Sequence, residues 1–332
     1  MAEIEVKGLR KIYRVHQKPQ GLMGSIRSLF RRRYKMVNAV DGITFGIETG
    51  EMVGFLGPNG AGKTTTLKVL SGLIYPTEGE VRVLGYVPWE RKNAYRRQFA
   101  LLMGQKNQLW WDLPASESFR LHKEIYAIED AQFERVQGTL TELLNVKDLL
   151  NQPVRELSLG ERMKMELIAA LLHSPRILFL DEPTIGLDVV AQASIRRCLR
   201  EYNRDQKVTV LLTSHYMQDV EALCDRVLVI NHGKLIHDGP LADIVKRFAR
   251  HKVVTLRFHD GAWPQGFDDL GEVVSEQRPK VTLRWPREAV AERAGRLLNR
   301  YAIDDITVED PPIEELIGQV FGSETKPGGA PS

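Results

Sequence analysis

Cysteine is almost missing from this chain: 332 residues hold two. Cys198 and Cys224 sit in apolar or helical stretches, so no disulfide framework and no cysteine metal site is expected. A cytoplasmic, reducing compartment is the default for such a chain. Long apolar runs are missing too; none approaches the ~18–20 residues that a membrane span needs. The opening residues, Met1 to Val6, carry no signal-peptide core. A strong charge imbalance is also absent. The net charge of +3 is too small to imply a nucleic-acid partner. No internal repeat of about 20–50 residues is visible. What is present is 43% hydrophobic and 27% charged residues, a globular composition long enough for one large domain and one small one.

One stretch dominates the rest. Gly57-Pro58-Asn59-Gly60-Ala61-Gly62-Lys63-Thr64-Thr65 fits G-x-x-x-x-G-K-[ST] at every fixed position. Glycines let a backbone curl around crowded phosphate oxygens with its N–H groups inward. Lys63 would reach the β- and γ-phosphates, and the Thr64 hydroxyl would bind Mg²⁺. The context agrees. Residues 51–56 read as a buried strand, and residues 65–70 as a helix whose N-terminus faces the phosphates.

A second apolar strand, Ile177 to Leu180, ends in Asp181-Glu182-Pro183. Apolar character on both faces implies a central parallel strand. Chemistry in such sheets gathers at the strands' carboxyl ends. Asp181 is placed to hold Mg²⁺, and Glu182 to polarise a water for in-line attack. Val208 to Thr213 is a third such strand, followed by Ser214-His215. His215 reads equally as a structural hydrogen-bonder or a γ-phosphate contact. Leu157-Ser158-Leu159-Gly160-Glu161 opens an apolar-periodic helix whose free N–H groups favour an anion; a simple helix cap explains it as well.

Residues 4–14 and 43–48 read as strands, with Tyr13 either stacking on a base or packing at a strand edge. Residues 16–37 form an insertion. Its basic amphipathic stretch, 22–35, suits either an anionic membrane surface or packing on the domain. Residues 92–175 are mostly helical in pattern, with Gln105 and Trp110-Trp111 in a connecting loop. The two tryptophans read as half-buried core aromatics or as a partner surface. Residues 226–230 and 234–239 read as a hairpin. From about 251 the texture changes to strands at 253–258, 272–274, 280–284 and 303–308. A helix at 287–300 and a last one at 312–321 accompany them. Residues 322–332 read as a disordered tail.

In this order, these motifs resemble the ATP-binding subunits of ABC transporters over roughly residues 4–245. The resemblance implies an α/β fold of P-loop NTPase, ABC-ATPase type: a parallel-sheet core, an N-terminal antiparallel β subdomain and a helical subdomain at about 92–175. A small C-terminal α+β domain at 251–321 would follow a 1–245 ATP-binding domain. It implies ATP and Mg²⁺ as ligands and gives each motif a part. Tyr13 would stack on adenine. Gly57 to Thr65 would hold the phosphates, and Gln105 would sense Mg²⁺ beside Thr64 and Asp181. Glu182 and His215 would act in hydrolysis. Ser158, Leu159, Gly160 and Glu161 would meet the ATP of the opposite subunit, and Asp188 would lie in the dimer-contacting loop. Leu159 and Glu161 depart from the family's usual glycine and glutamine.

Thr184 to Asp188, the C-terminal module and Pro311 to Leu316 resemble the type 2 exporter branch, which includes drug and polysaccharide exporters. One phosphate loop per chain implies a homodimer or a pairing with a related ATPase. The pore would then come from separate transmembrane permease subunits, with this chain peripheral on the cytoplasmic face of the membrane. Import, a soluble non-transport ABC ATPase and an inactive regulatory subunit are the competing readings.

Overall fold

The computed structural model describes residues 2–17, 33–104, 106–214, 216–259, 270–312 and 315–318. The chain divides into two compact units, Met1–Gly239 and Pro240–Ser332.

The first unit opens with two long strands, β1 (Ala2–Gln17) and β2 (Arg33–Glu48), paired antiparallel. With β4 (Glu78–Val83) they make a three-stranded sheet in the order β2-β1-β4. The remaining strands are β3 (Met52–Leu56), β5 (Phe99–Met103), β6 (Ile177–Asp181), β7 (Thr209–Thr213), β8 (Arg226–Asn231) and β9 (Lys234–Pro240). They form a six-stranded sheet in the order β5-β6-β7-β3-β8-β9. β5, β6, β7, β3 and β8 run parallel to one another. The apolar runs of β3, β6 and β7 are buried along almost their whole length, as strands covered on both faces must be.

Helix α1 (Lys63–Leu70) leaves the end of the phosphate loop and buries Leu67, Val69 and Leu70. These pack with Ile4, Ile47, Phe45, Phe55 and Phe179 in one core that spans the two sheets. A short helix, α2 (Asn93–Arg96), carries Tyr95, whose hydroxyl donates to the Leu70 carbonyl. Helices α3 (Ala115–Tyr126) and α4 (Asp130–Leu143) precede α5 (Leu159–Leu171). Helices α6 (Val189–Gln206) and α7 (Met217–Leu223) flank β7 in sequence.

Three sequence expectations need correction. Residues 92–175 are not helical throughout: after α2, β5 lies inside that range and forms an edge of the parallel sheet. Phe99-Ala100-Leu101-Leu102-Met103 is a short apolar run that periodicity cannot assign. Arg33 to Val37 of the expected basic amphipathic insertion lie in β2, where Tyr34 and Lys35 pair with His16 and Val15. Residues 18–32 fall outside the described residues. Trp110 and Trp111 are not core aromatics, being 53% and 46% exposed; Arg162 sits 5.3 Å over the Trp111 ring.

The second unit begins before the 245 boundary read from sequence, so helix α8 (Leu241–Phe248) belongs with it. Strands β10 (His251–Phe258), β11 (Glu272–Gln277), β12 (Lys280–Pro286) and β13 (Ile303–Glu309) form an antiparallel sheet in the order β11-β12-β10-β13. Alternation sends Val254, Leu256, Phe258, Val281, Leu283 and Trp285 to one face. That face is covered by Leu297 of α9 (Val290–Arg300), with Val290 and Ala294 beside it. Residues 315–318 are helical; the expected tail lies outside the described residues.

Candidate functional site

The strand order decides the site. β5, β6, β7 and β3 are consecutive and parallel, so their carboxyl ends share one edge of the sheet. That edge carries Gly104, Asp181-Glu182, Thr213-Ser214 and the loop from Gly57 to Gly62.

The loop leads directly into α1, with Gly62 at the N-cap and Lys63 as the first helical residue. Pro58, Asn59 and Gly60 are exposed at its tip, while Ala61, Gly62 and Lys63 are buried beneath them. The Lys63 ammonium donates to the Gly57 carbonyl at 2.5 Å and the Pro58 carbonyl at 3.1 Å. Burial pushes the Lys63 pKa down, and the nearby charges of Glu182 and Asp181 oppose that shift. Thr65, in the first turn, is partly buried on the same helix.

Thr64 donates its hydroxyl to Asp181, at 2.9 Å to Oδ2 and 3.2 Å to Oδ1. The Thr213 hydroxyl donates to Asp181 Oδ1 at 2.7 Å. Thr213 was not singled out from the sequence. Its signal was there: it is a polar residue closing an apolar strand, the same pattern that marks Asp181. Glu182 follows with φ +55°, a conformation that side-chain-bearing residues rarely adopt. Its N–H donates to the Thr213 carbonyl at 3.0 Å. Gly104 donates its N–H to the Asp181 carbonyl at 2.9 Å, bringing the end of β5 against the same turn. Gln105 and His215 lie outside the described residues; their neighbours Gly104, Ser214 and Tyr216 are at this edge.

The expected signature residues form a second group. Ser158 caps α5, and Glu161 completes a capping box. The Glu161 carboxylate accepts from the Ser158 N–H at 2.9 Å and its hydroxyl at 2.8 Å. Those bonds hold the Glu161 pKa below the ordinary carboxylate value. Asp188 caps α6, accepting from the Ala191 N–H at 2.9 Å. The two helix starts touch: a Cβ on Gly160 would lie 2.8 Å from the Ala191 Cβ, so only glycine fits there. Leu159 is 39% exposed. Tyr13 lies on β1 opposite Val37, with the Lys11 ammonium 5.2 Å over its ring.

Thr64 and Asp181 offer hard oxygen donors of the kind Mg²⁺ takes, one carboxylate among them. No group of three or more His, Cys, Asp or Glu residues that could hold a metal occurs among the described residues. That composition suits an ion held partly by substrate phosphates rather than by an all-protein cage.

A phosphate loop at the end of a central parallel strand, with paired acids at the same end of a strand one place removed, defines a P-loop nucleoside triphosphatase. Comparison with known proteins sharpens the class. Residues 40–185 match the family described as ABC transporter, and residues 250–309 match the EvrA-like ABC transporter C-terminal domain. The chain is 34% identical to the ABC transporter ATP-binding protein NatA of Bacillus subtilis, across 65% of this chain and 87% of that protein. It is 33% identical to Nod factor export ATP-binding protein I of Ralstonia nicotianae, across 82% and 80%. A solved ATP-binding subunit of an ABC transporter overlays with a TM-score of 0.61 at 29% identity, across 74% of this chain and 92% of that one. The dimeric post-hydrolysis cassette MJ0796, bound to ADP and Pi, shares the fold at 22% identity and a TM-score of 0.59, across 71% and 98%. The chain belongs to the ATP-binding subunits of ABC transporters, and is an ATPase of that type. Among the described residues no helix is long and apolar enough to cross a membrane.

Proposed function

We propose that this chain hydrolyses ATP in a dimer and so drives export through separate transmembrane permease subunits, at whose membrane face it sits. The observation that carries the reading is the cluster of Lys63, Thr64, Asp181 and Glu182 at one edge of the parallel sheet. Lys63, already buried among loop carbonyls, would exchange these for β- and γ-phosphate oxygens. The loop N–H groups and the start of α1 add positive potential to the same place. Thr64 and Asp181, with Gln105, would hold Mg²⁺, which neutralises charge on the phosphates when bound. Glu182 would accept a proton from the attacking water as its oxygen bonds to the γ-phosphorus and the β–γ bridge breaks. His215 would contact the γ-phosphate, and Tyr13 the adenine.

Ser158 to Glu161 and the Asp188 loop would be presented to the nucleotide held by the opposite chain. Closing the dimer on ATP, and opening it after hydrolysis, would supply the motion that the permeases use. Export is supported by the relatives, which include a Nod factor export protein and a linearmycin resistance protein of Bacillus subtilis. The test is a pair of substitutions in the purified chain. Lys63→Ala should lose Mg·ATP binding. Glu182→Gln should keep ATP and hold a dimer without turnover. Normal hydrolysis by Glu182→Gln would refute the part given to Glu182.

A further inference from the structure

Asp219 was not marked by any motif, and it is wholly buried. It lies on α7, just past residue 215. Three donors converge on its carboxylate. Arg196 Nη1 reaches Oδ1 at 2.7 Å, Ser214 Oγ reaches Oδ2 at 2.9 Å, and Thr184 Oγ1 also donates to Oδ2. Arg196 is itself only 14% exposed in its side chain.

Each donor belongs to a different segment of the proposed site. Thr184 is two residues past Glu182. Ser214 immediately precedes His215, and its hydroxyl oxygen also accepts from the Tyr216 N–H at 3.0 Å. It therefore grips the chain on both sides of 215. Arg196 projects from α6, the helix capped by Asp188. One buried charge thus joins the turn of the catalytic carboxylate, the loop of the histidine and the helix behind the Asp188 loop.

We propose that Asp219 is a positioning residue for hydrolysis, setting the relative placement of the Glu182 turn and the His215 loop. This rests on the roles proposed above for those two residues. The physics favours a carboxylate at this point. A lone hydroxyl is a weak anchor, but two hydroxyls donating to a desolvated anion are held firmly. Glu182 needs such an anchor, because its left-handed backbone persists only where the surroundings over-determine it. Arg196 supplies the charge balance that lets the anion stay buried. The nucleotide-binding loop hangs from a different strand, β3, and none of these three bonds reaches it.

The reasoning separates this from a stabilising ion pair. An amide at 219 keeps the volume but converts one acceptor into a donor, so it cannot satisfy donors on both sides. Asp219→Asn should then lower kcat by about 10²-fold, the scale of a misplacement near 1 Å. ATP affinity should hold when both are measured well below the variant's Tm. Thr184→Val cuts a single tether with little change of volume. It should lower kcat alone, and add nothing to Asp219→Asn in a double-mutant cycle. If Asp219→Asn fails to fold, Thr184→Val decides. Tyr95→Phe, which loses a buried hydrogen bond elsewhere, should lower Tm and keep kcat. Unchanged kcat in Asp219→Asn and Thr184→Val would overturn the proposal, as would losses of kcat and ATP affinity in parallel. Wild type and Lys63→Ala run in the same assay. Turnover that does not depend on Lys63 would instead bring down the functional reading, and this inference with it.

Discussion

Gly104→Ala is a single methyl group aimed at the Glu182 turn. A Cβ at 104 would stand 2.1 Å from the Glu182 carbonyl oxygen, 3.1 Å from its carbon and 3.2 Å from the Ile185 Cγ2. Ordinary contact begins near 3.4 Å, so the end of β5 and the Glu182 turn must part by more than 1 Å. The obstacle is backbone, which cannot rotate aside as a side chain would. Gly104 does not occupy the left-handed region, so alanine meets only the steric problem and no conformational one. Two bonds are strained in consequence: Gly104 N–H to the Asp181 carbonyl at 2.9 Å, and Glu182 N–H to the Thr213 carbonyl at 3.0 Å.

Overpacking of this kind costs about 1–3 kcal/mol. For a unit of this size that is about 2–4 °C in Tm per kcal/mol. With the part proposed for Glu182, turnover should suffer more than stability, because moving such a group by about 1 Å costs on the order of 10²-fold. ATP binding should change little, since Lys63 and its loop depend on β3. Steady-state ATPase kinetics, ATP titration and thermal melting of the same preparation read all three quantities. A Gly104→Ala protein with wild-type kcat and Tm would show that β5 does not press on the Glu182 turn, and the account of the site's geometry would be wrong.

Ser158→Ala removes the hydroxyl that caps α5 and bonds the Glu161 carboxylate, leaving only the backbone N–H of the box, and should cost about 1 kcal/mol in thermal or urea unfolding. His173 predicts a pH dependence. Its Nε2–H donates to the Phe99 carbonyl at 3.2 Å, its buried Nδ1 has no partner among the described residues, and burial pushes its pKa from 6.5 down to about 4. The unfolded chain therefore takes up this proton near 6.5 and the folded one only near 4. Stability should be intact above that window and fall as the pH drops through it, by roughly 3 kcal/mol for this group. His173→Gln should flatten the fall in Tm measured across the same pH range. Trp285 is fully buried in the second unit, with its ring N–H on the Leu270 carbonyl. Trp285→Ala should cost about 3–5 kcal/mol there and show as early cleavage after residue 240 in limited proteolysis.

The legible parts of this molecule are those where chemistry constrains spacing. The phosphate loop needs its glycines, lysine and threonine in fixed order, and a strand buried on both faces must be apolar throughout. Lys63, Thr64 and Asp181 were therefore readable and do converge. Phe99 to Met103 was not, because alanine, leucine and methionine suit a helix and only pairing with β6 makes the run a strand. Trp110 and Trp111 misled because size suggests burial, whereas their backbone is held in an exposed loop by Ser118 and Arg155. Asp219 was invisible because its partners at 184, 196 and 214 meet only in three dimensions.

The departures at Leu159 and Glu161 become intelligible on the same terms. Glutamic acid at the third position of α5 is a capping-box residue, and it binds both polar groups of Ser158. A glutamine could close the same box, so the carboxylate adds charge rather than a new bond. That charge lies beside a helix N-terminus, where it is favoured. Leu159 turns toward the Asp188 loop: its Cδ2 would be 3.3 Å from a Cβ placed on Gly186. Gly160 closes the gap between the starts of α5 and α6. Leu159 and Gly160 thus tie the start of α5 to the Asp188 loop, while Glu161 holds the cap of its own helix. Substitutions on this surface are to be judged first by what they do to the two helix caps.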